Sequence, residues 1–237
     1  MGHIVRFGEG RAILADEAFS GQPAPELFSP AAWHARGAVV RPTHGGRGAS
    51  WFVSWAGEEW VLRHYRRGGF FGPLLRDRYF WQGEAAARPF REWWLLAKLH
   101  AAGLPVPRPL AAQIVRSGVF YRGDILTERL AALPLSQLLA HGAIDEALWR
   151  RVGACVRRFH DANVWHADLN AHNVLIGKRG EVFLIDFDRA RLRTAGGRWR
   201  VANLERLARS LRKLLGAAAL EREHAAGWRA LMEGYGK

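Results

Sequence analysis

Acidic and amide side chains concentrate in two short segments of the C-terminal half of the chain. The first is HADLNAHN at 166–173, and the second is DFD at 186–188. Phosphoryl transfer requires a carboxylate that orients or deprotonates the attacking hydroxyl, because the rest of its catalysis is positioning and charge neutralisation. It also requires oxygen ligands for Mg²⁺, which a second carboxylate and an amide can supply. Asp168, Asn173 and Asp186 are residues of these types, and both segments adjoin apolar stretches typical of strands.

The two segments resemble the protein-kinase-like superfamily. HADLNAHN matches its catalytic-loop pattern H-x-D-x-x-x-x-N, and DFD stands where the superfamily has D-F-G. A predicted β hairpin separates the two segments, as it does in that superfamily. The resemblance implies that Asp168 is the catalytic residue and that Asn173 and Asp186 hold Mg²⁺. Without the resemblance, Asp168 and Asn173 could cap turns while Asp186 ends a strand.

The N-terminal half contains candidates for the nucleotide site that the resemblance implies. The superfamily has a glycine-rich loop that covers ATP, and Gly45, Gly46 and Gly48 are its candidates in this chain. Their sequence, HGGRG, departs from the pattern G-x-G-x-x-G. WVLR at 60–63 aligns with the superfamily's V-A-I-K and places Arg63 where lysine is usual. Arginine keeps the charge and can donate to phosphate oxygens as a fork, so we expect nucleotide binding with a different geometry.

Acidic residues complete this expected site. Glu92 is the predicted partner of Arg63 on the following helix, and Glu84 is the alternative. Glu128 falls at the hinge between two lobes, where backbone groups would contact adenine. The cofactors implied are ATP and Mg²⁺.

The elements that must position these residues follow from residue patterns. Strand-like stretches flank turns at Gly57 and Gly118, which predicts two hairpins in the N-terminal half. Apolar spacing predicts helices at 84–102, 135–141 and 145–162, followed by a helical C-terminal region.

These elements predict an α+β, two-lobed protein-kinase-like fold. Residues 1–36 are rich in proline and predict an irregular N-terminal arm with at most short elements. Residues 37–128 form the expected nucleotide-binding lobe, mainly antiparallel sheet with one helix. Residues 129–237 form a reduced, mainly helical catalytic lobe.

Composition limits the classes of protein to which the chain can belong. Its 237 residues are 49% hydrophobic and 24% charged, which is ordinary for a globular protein and excludes a disordered or rod-like chain. The single cysteine, Cys155, excludes a disulfide framework and a cysteine-based zinc site. No apolar run approaches the ~18 residues that a transmembrane helix requires. We expect a cytosolic protein or one that lies on a cytosolic surface.

The net charge of +13 favours anionic partners. Nucleic acid, an acidic membrane surface and a phosphorylated substrate all fit that description. No nucleic-acid reader motif accompanies the charge, so we do not expect nucleic acid as a partner.

Departures from the protein kinases favour a small acceptor. Ala167 replaces the arginine that reads activation-loop phosphorylation, and no A-P-E segment follows Asp186. Within the small-molecule phosphotransferases, the chain resembles the 3-deoxy-D-manno-octulosonic acid (Kdo) kinases of Gram-negative bacteria. The blocks that carry this resemblance are LRHYRRGGFFG (62–72), REWWLLAKLHAAGLPVPRP (91–109), WHADLNAHNVLI (165–176), FLIDFDRAR (183–191) and NLERLARSLRK (203–213).

This closer resemblance implies ATP-dependent phosphorylation of the 4-hydroxyl of Kdo in Kdo–lipid A, a step of lipopolysaccharide inner-core biosynthesis. It implies a peripheral protein at the cytoplasmic face of the bacterial inner membrane, with no known protein partner. Two alternatives stay open. One is a lipopolysaccharide heptose kinase or other small-molecule kinase. The other is a non-catalytic, pseudokinase-like binding module, which Arg63 and the irregular glycine loop would permit.

An acceptor of this kind requires contact with an anionic membrane. Arg66 and Arg67 precede Gly-Gly-Phe-Phe, in a loop that could place cationic and aromatic side chains at headgroup depth. The same loop could equally be a solvated connector. Trp33, Trp51 and Trp81 are further candidates for a lipid-facing surface.

Overall fold

The chain divides into two compact units that alternate along the sequence. One contains Met1–Lys98 and Arg108–Arg129, and the other contains Leu99–Pro107 and Leu130–Lys237. The computed structural model describes residues 2–8, 10–17, 19, 22–43, 50–66, 77–142, 144–215 and 224–236.

The first unit is built on one antiparallel sheet. Its strands in chain order are β1 (Gly2–Phe7), β2 (Arg11–Asp16), β3 (Val39–Pro42), β4 (Ser50–Trp55), β5 (Glu58–His64), β6 (Tyr79–Phe80), β7 (Pro109–Ser117) and β8 (Phe120–Glu128). Their spatial order is β1-β2-β7-β8-β5-β4-β3, and β6 pairs with the first part of β8. This mainly antiparallel sheet confirms the expected α+β class.

Two helices accompany this sheet. They are the short α1 (Pro30–Ala35) and the longer α2 (Arg88–Ala101), and single 3-10 turns lie at Pro25–Phe28 and Glu84–Ala86. On α2, Phe90, Trp93 and Leu96 are buried at helical spacing, so one stripe of the helix faces the interior. The helix ends at Ala101, and Gly103 just beyond it has a φ of 71°, which suits glycine after a helix C-terminus.

The segment 1–36 is more regular than its sequence predicts, and the expected irregular arm is wrong. β2 pairs with β1 on one side and with β7 on the other. Ile13 and Leu14, which are adjacent, are both fully buried because β2 is covered on both faces. Such a strand lacks the alternation that marks a half-buried strand.

Trp33 lies in the core, which corrects its assignment to a lipid-facing surface. Its side chain is 1% exposed and its Nε1 donates to the carbonyl oxygen of Leu27 at 2.9 Å. Its ring centroid lies 5.1 Å from that of Trp60. Trp51 is partly buried against the same core. Trp81 is partly exposed and lies at the opposite end of the sheet.

The side chains of neighbouring residues of β5 lie on opposite faces of the sheet. Arg63 pairs with Ile125 of β8, and His64 pairs with Asp124. Because side chains alternate along a strand, Arg63 points to the face covered by α2 and His64 to the other face. There His64 Nδ1 lies 2.6 Å from Asp124 Oδ1, and its Nε2 lies 3.1 Å from Asp77 Oδ2.

The second unit is mainly helical, as expected. Its helices are α3 (Leu135–Ala140), α4 (Glu146–Asp161), α5 (Trp199–Leu215) and α6 (His224–Tyr235). Its strands are β9 (Ala132–Pro134), β10 (Val164–Trp165), β11 (Val174–Gly177), β12 (Val182–Leu184) and β13 (Arg191–Leu192). They form a three-stranded sheet in the order β12-β11-β9 and a separate β10-β13 pair.

Glycines allow the backbones of α4 and α6 to meet. A methyl group at Gly153 would overlap the carbonyl oxygen of Leu231, and one at Gly234 would overlap that of Arg150. Each glycine therefore admits the backbone of the facing helix, which fixes the position of α6 on α4. No helix in the described ranges is both long and apolar enough to cross a bilayer.

Candidate active site

The segment HADLNAHN forms the loop between β10 and β11, where its polar side chains brace one another. Asn173 Nδ2 donates to the carbonyl oxygen of Asp168 at 2.9 Å and lies 3.5 Å from Asp168 Oδ2. Asn170 Oδ1 accepts from the backbone N–H groups of His172 and Asn173, at 2.8 Å and 3.2 Å. The loop thus holds Asp168 and Asn173 together through its own hydrogen bonds.

Asp186 reaches the same place from the end of β12. The backbone N–H of Ile185 donates to the carbonyl oxygen of Asn173 at 3.0 Å, which makes Asp186 a close neighbour of the loop. Asp186 has a φ of 64°, in the left-handed region that non-glycine residues seldom occupy. Strain of this kind concentrates at functional sites, where the surrounding structure imposes it. The second unit therefore brings together the three residues that the sequence singled out.

His166 supports the loop from beneath. Its ring is buried, and Nδ1 accepts from the backbone N–H of Asp168 at 3.2 Å. Nδ1 is thus unprotonated, so Nε2 carries the proton and donates to the carbonyl oxygen of Ile185 at 2.9 Å. Burial lowers the pKa of His166, which keeps the ring neutral. A single neutral ring connects the HADLNAHN loop to the residue before Asp186.

Helix α5 supplies two loop supports that sequence reasoning missed. Asn203 Oδ1 accepts from the N–H of His166 at 3.3 Å, and its Nδ2 donates to the carbonyl oxygen of the same residue at 2.6 Å. Ser210 Oγ accepts from the N–H of Ala171 at 3.1 Å. The sequence offers one signal, because Asn203 is an amide on the apolar face of α5. In the structure its side chain is only 1% exposed.

A buried histidine extends this network to the last helix. His160 Nε2 lies 3.2 Å from Asn203 Oδ1, and its Nδ1 lies 2.8 Å from the Tyr235 hydroxyl. Asn203 Oδ1 can only accept, so His160 donates from Nε2 and accepts from Tyr235. Burial lowers the pKa of His160 to about 4, so the ring is neutral at neutral pH. Hydrogen bonds therefore run from Tyr235 on α6 to the backbone of the HADLNAHN loop.

The first unit contains the expected cationic residue and its acidic partner. Arg63 Nη2 donates to Oε2 of Glu92, which is 3% exposed, and the Tyr65 hydroxyl donates to the same oxygen. Arg63 also donates to the Tyr65 hydroxyl at 3.2 Å. Tyr65 is thus a third member that the sequence did not indicate. Glu84, the alternative partner, instead pairs with Arg6 at 2.8 Å.

The remaining nucleotide-site candidates are placed only in part. Glu128 is the last residue of β8, and its N–H donates to the carbonyl oxygen of Arg108 at 2.9 Å. Gly45, Gly46 and Gly48 lie outside the described residues.

Asn173 and Asp186 have the donor chemistry that Mg²⁺ requires. The hydrogen bonds that the side chain of Asn173 donates use Nδ2. Its Oδ1 is an oxygen of the kind that Mg²⁺ prefers, as are the carboxylate oxygens of Asp186. In the part of the chain that the structure describes, no three His, Cys, Asp or Glu residues group as metal ligands. That is compatible with Mg²⁺, which takes one or two carboxylates and completes its shell with phosphate oxygens and water.

Cys155 takes no part in this chemistry. It is buried on α4, where Sγ lies 3.5 Å from the carbonyl oxygen of Val182. Burial raises the pKa of its thiol to about 12, so the reactive thiolate does not form at neutral pH.

The sequence of this chain matches a known protein family and several known proteins. The model of the lipopolysaccharide kinase (Kdo/WaaP) family matches residues 30–235. The chain is 45% identical over 221 residues to a 3-deoxy-D-manno-octulosonic acid kinase of Xylella fastidiosa (strain 9a5c), covering 92% of this chain and 88% of that protein. It is 41% identical over 209 residues to the protein of the same name from Vibrio vulnificus (strain CMCP6), covering 88% and 87%. The matched region contains every described residue of both sites, and the chain belongs to the lipopolysaccharide kinase (Kdo/WaaP) family.

Proposed function

We propose that this chain transfers the γ-phosphoryl group of ATP to the 4-hydroxyl of Kdo in Kdo–lipid A. Membership of a kinase family makes it a phosphotransferase, and relatives that match about nine-tenths of its length are named 3-deoxy-D-manno-octulosonic acid kinases. In the transfer, the acceptor oxygen forms a bond to the γ-phosphorus while the bond from that phosphorus to the oxygen of ADP breaks.

The observation that carries this proposal is the clustering of Asp168, Asn173 and Asp186. Hydrogen bonds at 2.9 Å and 3.0 Å connect Asn173 to the segments that contain the two carboxylates. In this arrangement Asp168 orients the acceptor hydroxyl and takes up its proton as the new bond forms. The supports beneath the loop keep Asp168 in place.

Asn173 and Asp186 would hold Mg²⁺ through their side-chain oxygens. When bound, the ion supplies positive charge that offsets the charge of the phosphate oxygens. The strained backbone of Asp186 sets the direction of its carboxylate, and the Ile185–Asn173 hydrogen bond fixes its neighbour.

Arg63 would bind phosphate oxygens of ATP, as expected from the sequence. Its side chain is 24% exposed, while its partner Glu92 is almost completely buried. Glu92 and Tyr65 therefore set the direction of a guanidinium that still reaches solvent. Backbone groups near Glu128 and the glycines at 45–48 would contact the rest of the nucleotide.

We further propose that the protein acts at the cytoplasmic face of the inner membrane as a peripheral protein. Its acceptor is held there by acyl chains, and the net charge of +13 favours an anionic surface.

Phosphorylation of defined acceptors tests the proposal. Labelled ATP and Mg²⁺ are supplied with lipid A carrying one Kdo, lipid A carrying two, and a heptose-containing acceptor. We expect label on the Kdo acceptors, located at the 4-hydroxyl by NMR. Asp168→Ala should abolish transfer without unfolding the protein. Asp161→Asn, an exposed carboxylate of the same unit, is the matched control and should stay active. Transfer to heptose alone, or a folded Asp168→Ala protein of normal rate, would contradict the proposal.

A further inference from the structure

We propose that the first unit docks onto the headgroup layer of an anionic membrane through a small surface at one end of its sheet. This surface, called the Phe80 patch, consists of residues in and just before β6 and at the tip of the β7–β8 hairpin. Its members are Arg78, Phe80, Val119, Phe120 and Arg122. The inference rests on the proposed function, because only a membrane-held acceptor gives such a surface a purpose.

Strand pairing separates the patch from the interior. Tyr79 pairs with Tyr121, and Phe80 pairs with Phe120. Side chains alternate along both strands, so the two tyrosines share one face and the two phenylalanines share the other. The tyrosines are 5% and 4% exposed and belong to the core. The phenylalanine rings lie together on the opposite face, with centroids 4.9 Å apart and planes tilted by 35°.

The apolar part of the patch is open to solvent. Val119, in the turn between β7 and β8, is 66% exposed, and Phe80 is 57% exposed. These are the two largest exposures of a bulky apolar side chain in the part of the chain that the structure describes. Isolated exposed apolar residues are common, but here two lie on neighbouring segments, and the ring of Phe120 packs against that of Phe80.

Arginines border this apolar centre. By the same alternation, Arg122 lies on the face of the phenylalanines, and its side chain is 51% exposed. Arg78, which immediately precedes β6, is also exposed. Arg122 pairs with Asp77 at 3.0 Å. Asp77 also faces His64, whose pKa is raised by its hydrogen bond to Asp124, against the effect of burial. The acidic groups beside the patch are thus already engaged with cations of the protein.

This combination fits a lipid surface better than a protein partner. Apolar side chains that enter the headgroup layer, with arginines beside anionic lipids, are the features of interfacial binding. A stable protein interface buries about 800 Å² on each partner, far more than two exposed apolar side chains provide. The patch also lies apart from Arg63, the candidate for phosphate binding. Arg63 pairs with Ile125 of β8, and Phe120 is about 17 Å from Ile125 along that strand.

Vesicle sedimentation of the whole protein tests this surface. We expect the protein to bind vesicles of equal parts phosphatidylcholine and phosphatidylglycerol, to release them as salt rises, and to bind phosphatidylcholine alone poorly. Arg78→Gln with Val119→Ser should weaken binding about tenfold, since one cation and one inserted side chain are lost.

The matched control changes the same residue types on β3, at the other edge of the same sheet. Val39 is 50% exposed and Arg41 is also exposed. Arg41→Gln with Val39→Ser should leave vesicle binding within about twofold of wild type. Equal loss in both double variants, or no binding of anionic vesicles by the wild type, would overturn the docking surface.

Two further measurements distinguish membrane docking from a defect in catalysis and from contact between copies of the chain. On a deacylated, water-soluble Kdo acceptor, the Arg78/Val119 variant should retain the wild-type rate, while it should be slow on acceptor held in vesicles. A protein that phosphorylates no Kdo acceptor but shows patch-dependent vesicle binding would contradict the proposed function and support the surface. If sedimentation equilibrium shows that the variant dissociates an oligomer while vesicle binding is unchanged, the patch joins copies of the chain and the membrane assignment is wrong.

Discussion

Asn203 hydrogen-bonds both backbone groups of His166, accepting from its N–H at 3.3 Å and donating to its carbonyl oxygen at 2.6 Å. This pairing resembles a single rung of a β ladder, formed by a side chain in place of a strand. It fixes the backbone two residues before Asp168. The side chain of His166 then fixes Asp168 itself and Ile185. One buried amide on α5 thus determines where the candidate catalytic carboxylate lies.

Asn203→Leu should lower both stability and turnover. The substitution keeps the branched shape of the side chain but leaves the N–H and carbonyl of His166 without partners, at a cost of about 2–4 kcal/mol in the free energy of unfolding. Asp168 would then be held less firmly, so kcat should fall well below that of wild type while KM for ATP changes little. Urea denaturation and steady-state kinetics measure these effects. Glu205→Gln, on the exposed face of the same helix, is the control. A stable Asn203→Leu protein with unchanged kcat would show that the loop positions itself.

Acid should destabilise the second unit through His160. Its pKa is about 4 in the folded protein, against 6.5 for the free side chain. Between these values the unfolded chain binds a proton that the folded chain does not, so stability falls as the pH falls through this window. The full difference corresponds to about 3 kcal/mol, and the lowered pKa of His166 acts in the same direction.

The His160→Gln variant isolates this effect. Glutamine retains a donor and an acceptor but does not titrate, so its free energy of unfolding should depend less steeply on pH between 6.5 and 4. Urea unfolding of both proteins across that window provides the comparison. Identical slopes would mean that the acid sensitivity has another source.

Tyr65→Phe should weaken ATP binding without altering the transfer step. The hydroxyl donates to Glu92 and accepts from Arg63, so its loss removes one support of the guanidinium. We expect KM for ATP to rise about threefold to fivefold, with kcat nearly unchanged. Glu92→Gln should raise the KM for ATP more than Tyr65→Phe does, because Arg63 loses its charged partner. The effect of the double variant on the KM for ATP should be smaller than the two single effects combined, since both changes act on one guanidinium. Glu84→Gln is the control, and an effect equal to that of Glu92→Gln would refute the assignment.

Gly153→Ala should destabilise the packing of α4 against α6. The added methyl group meets the carbonyl oxygen of Leu231, and a helix backbone cannot yield locally as a side chain can. We expect a loss of about 2–3 kcal/mol in the free energy of unfolding. Ala154→Leu, on the exposed side of α4, adds more volume and should change stability by less than about 0.5 kcal/mol. Equal stability of wild type and Gly153→Ala would contradict the close approach of the two helices.

Sequence patterns were most informative where chemistry depends on short local spacing. Asp168 and Asn173 lie five positions apart on one loop, so their proximity follows from the motif. Asp186 joins them because the predicted hairpin returns the chain. The pairing of Arg63 with Glu92 followed from the resemblance to a known family.

The missed features depend on contacts between distant segments. The sequence of β2 does not show that it is a strand, because a strand buried on both faces lacks polar alternation. Its place in the sheet depends on pairing with β1 and with the distant β7. Asn203 and Tyr235 look like ordinary helical residues until α5 and α6 meet His160. Trp33 is a candidate for a lipid-facing surface on sequence alone, because the proline-rich segment around it has no periodic apolar pattern. Its burial depends on its contacts with Trp60 and Leu27.

The alternation of Arg63 and His64 on β5 makes this strand intolerant of changes in length. Inserting one residue ahead of Arg63 would turn its guanidinium away from Glu92 and would bring the next side chain to the α2 face instead. Both the ion pair and the contacts of His64 with Asp124 and Asp77 would be lost together. Inserting two residues would restore the facing of each side chain and displace it only along the strand. We therefore expect a one-residue insertion in β5 to be more damaging than a two-residue insertion, which moves each side chain about 7 Å along the strand but keeps it on its own face.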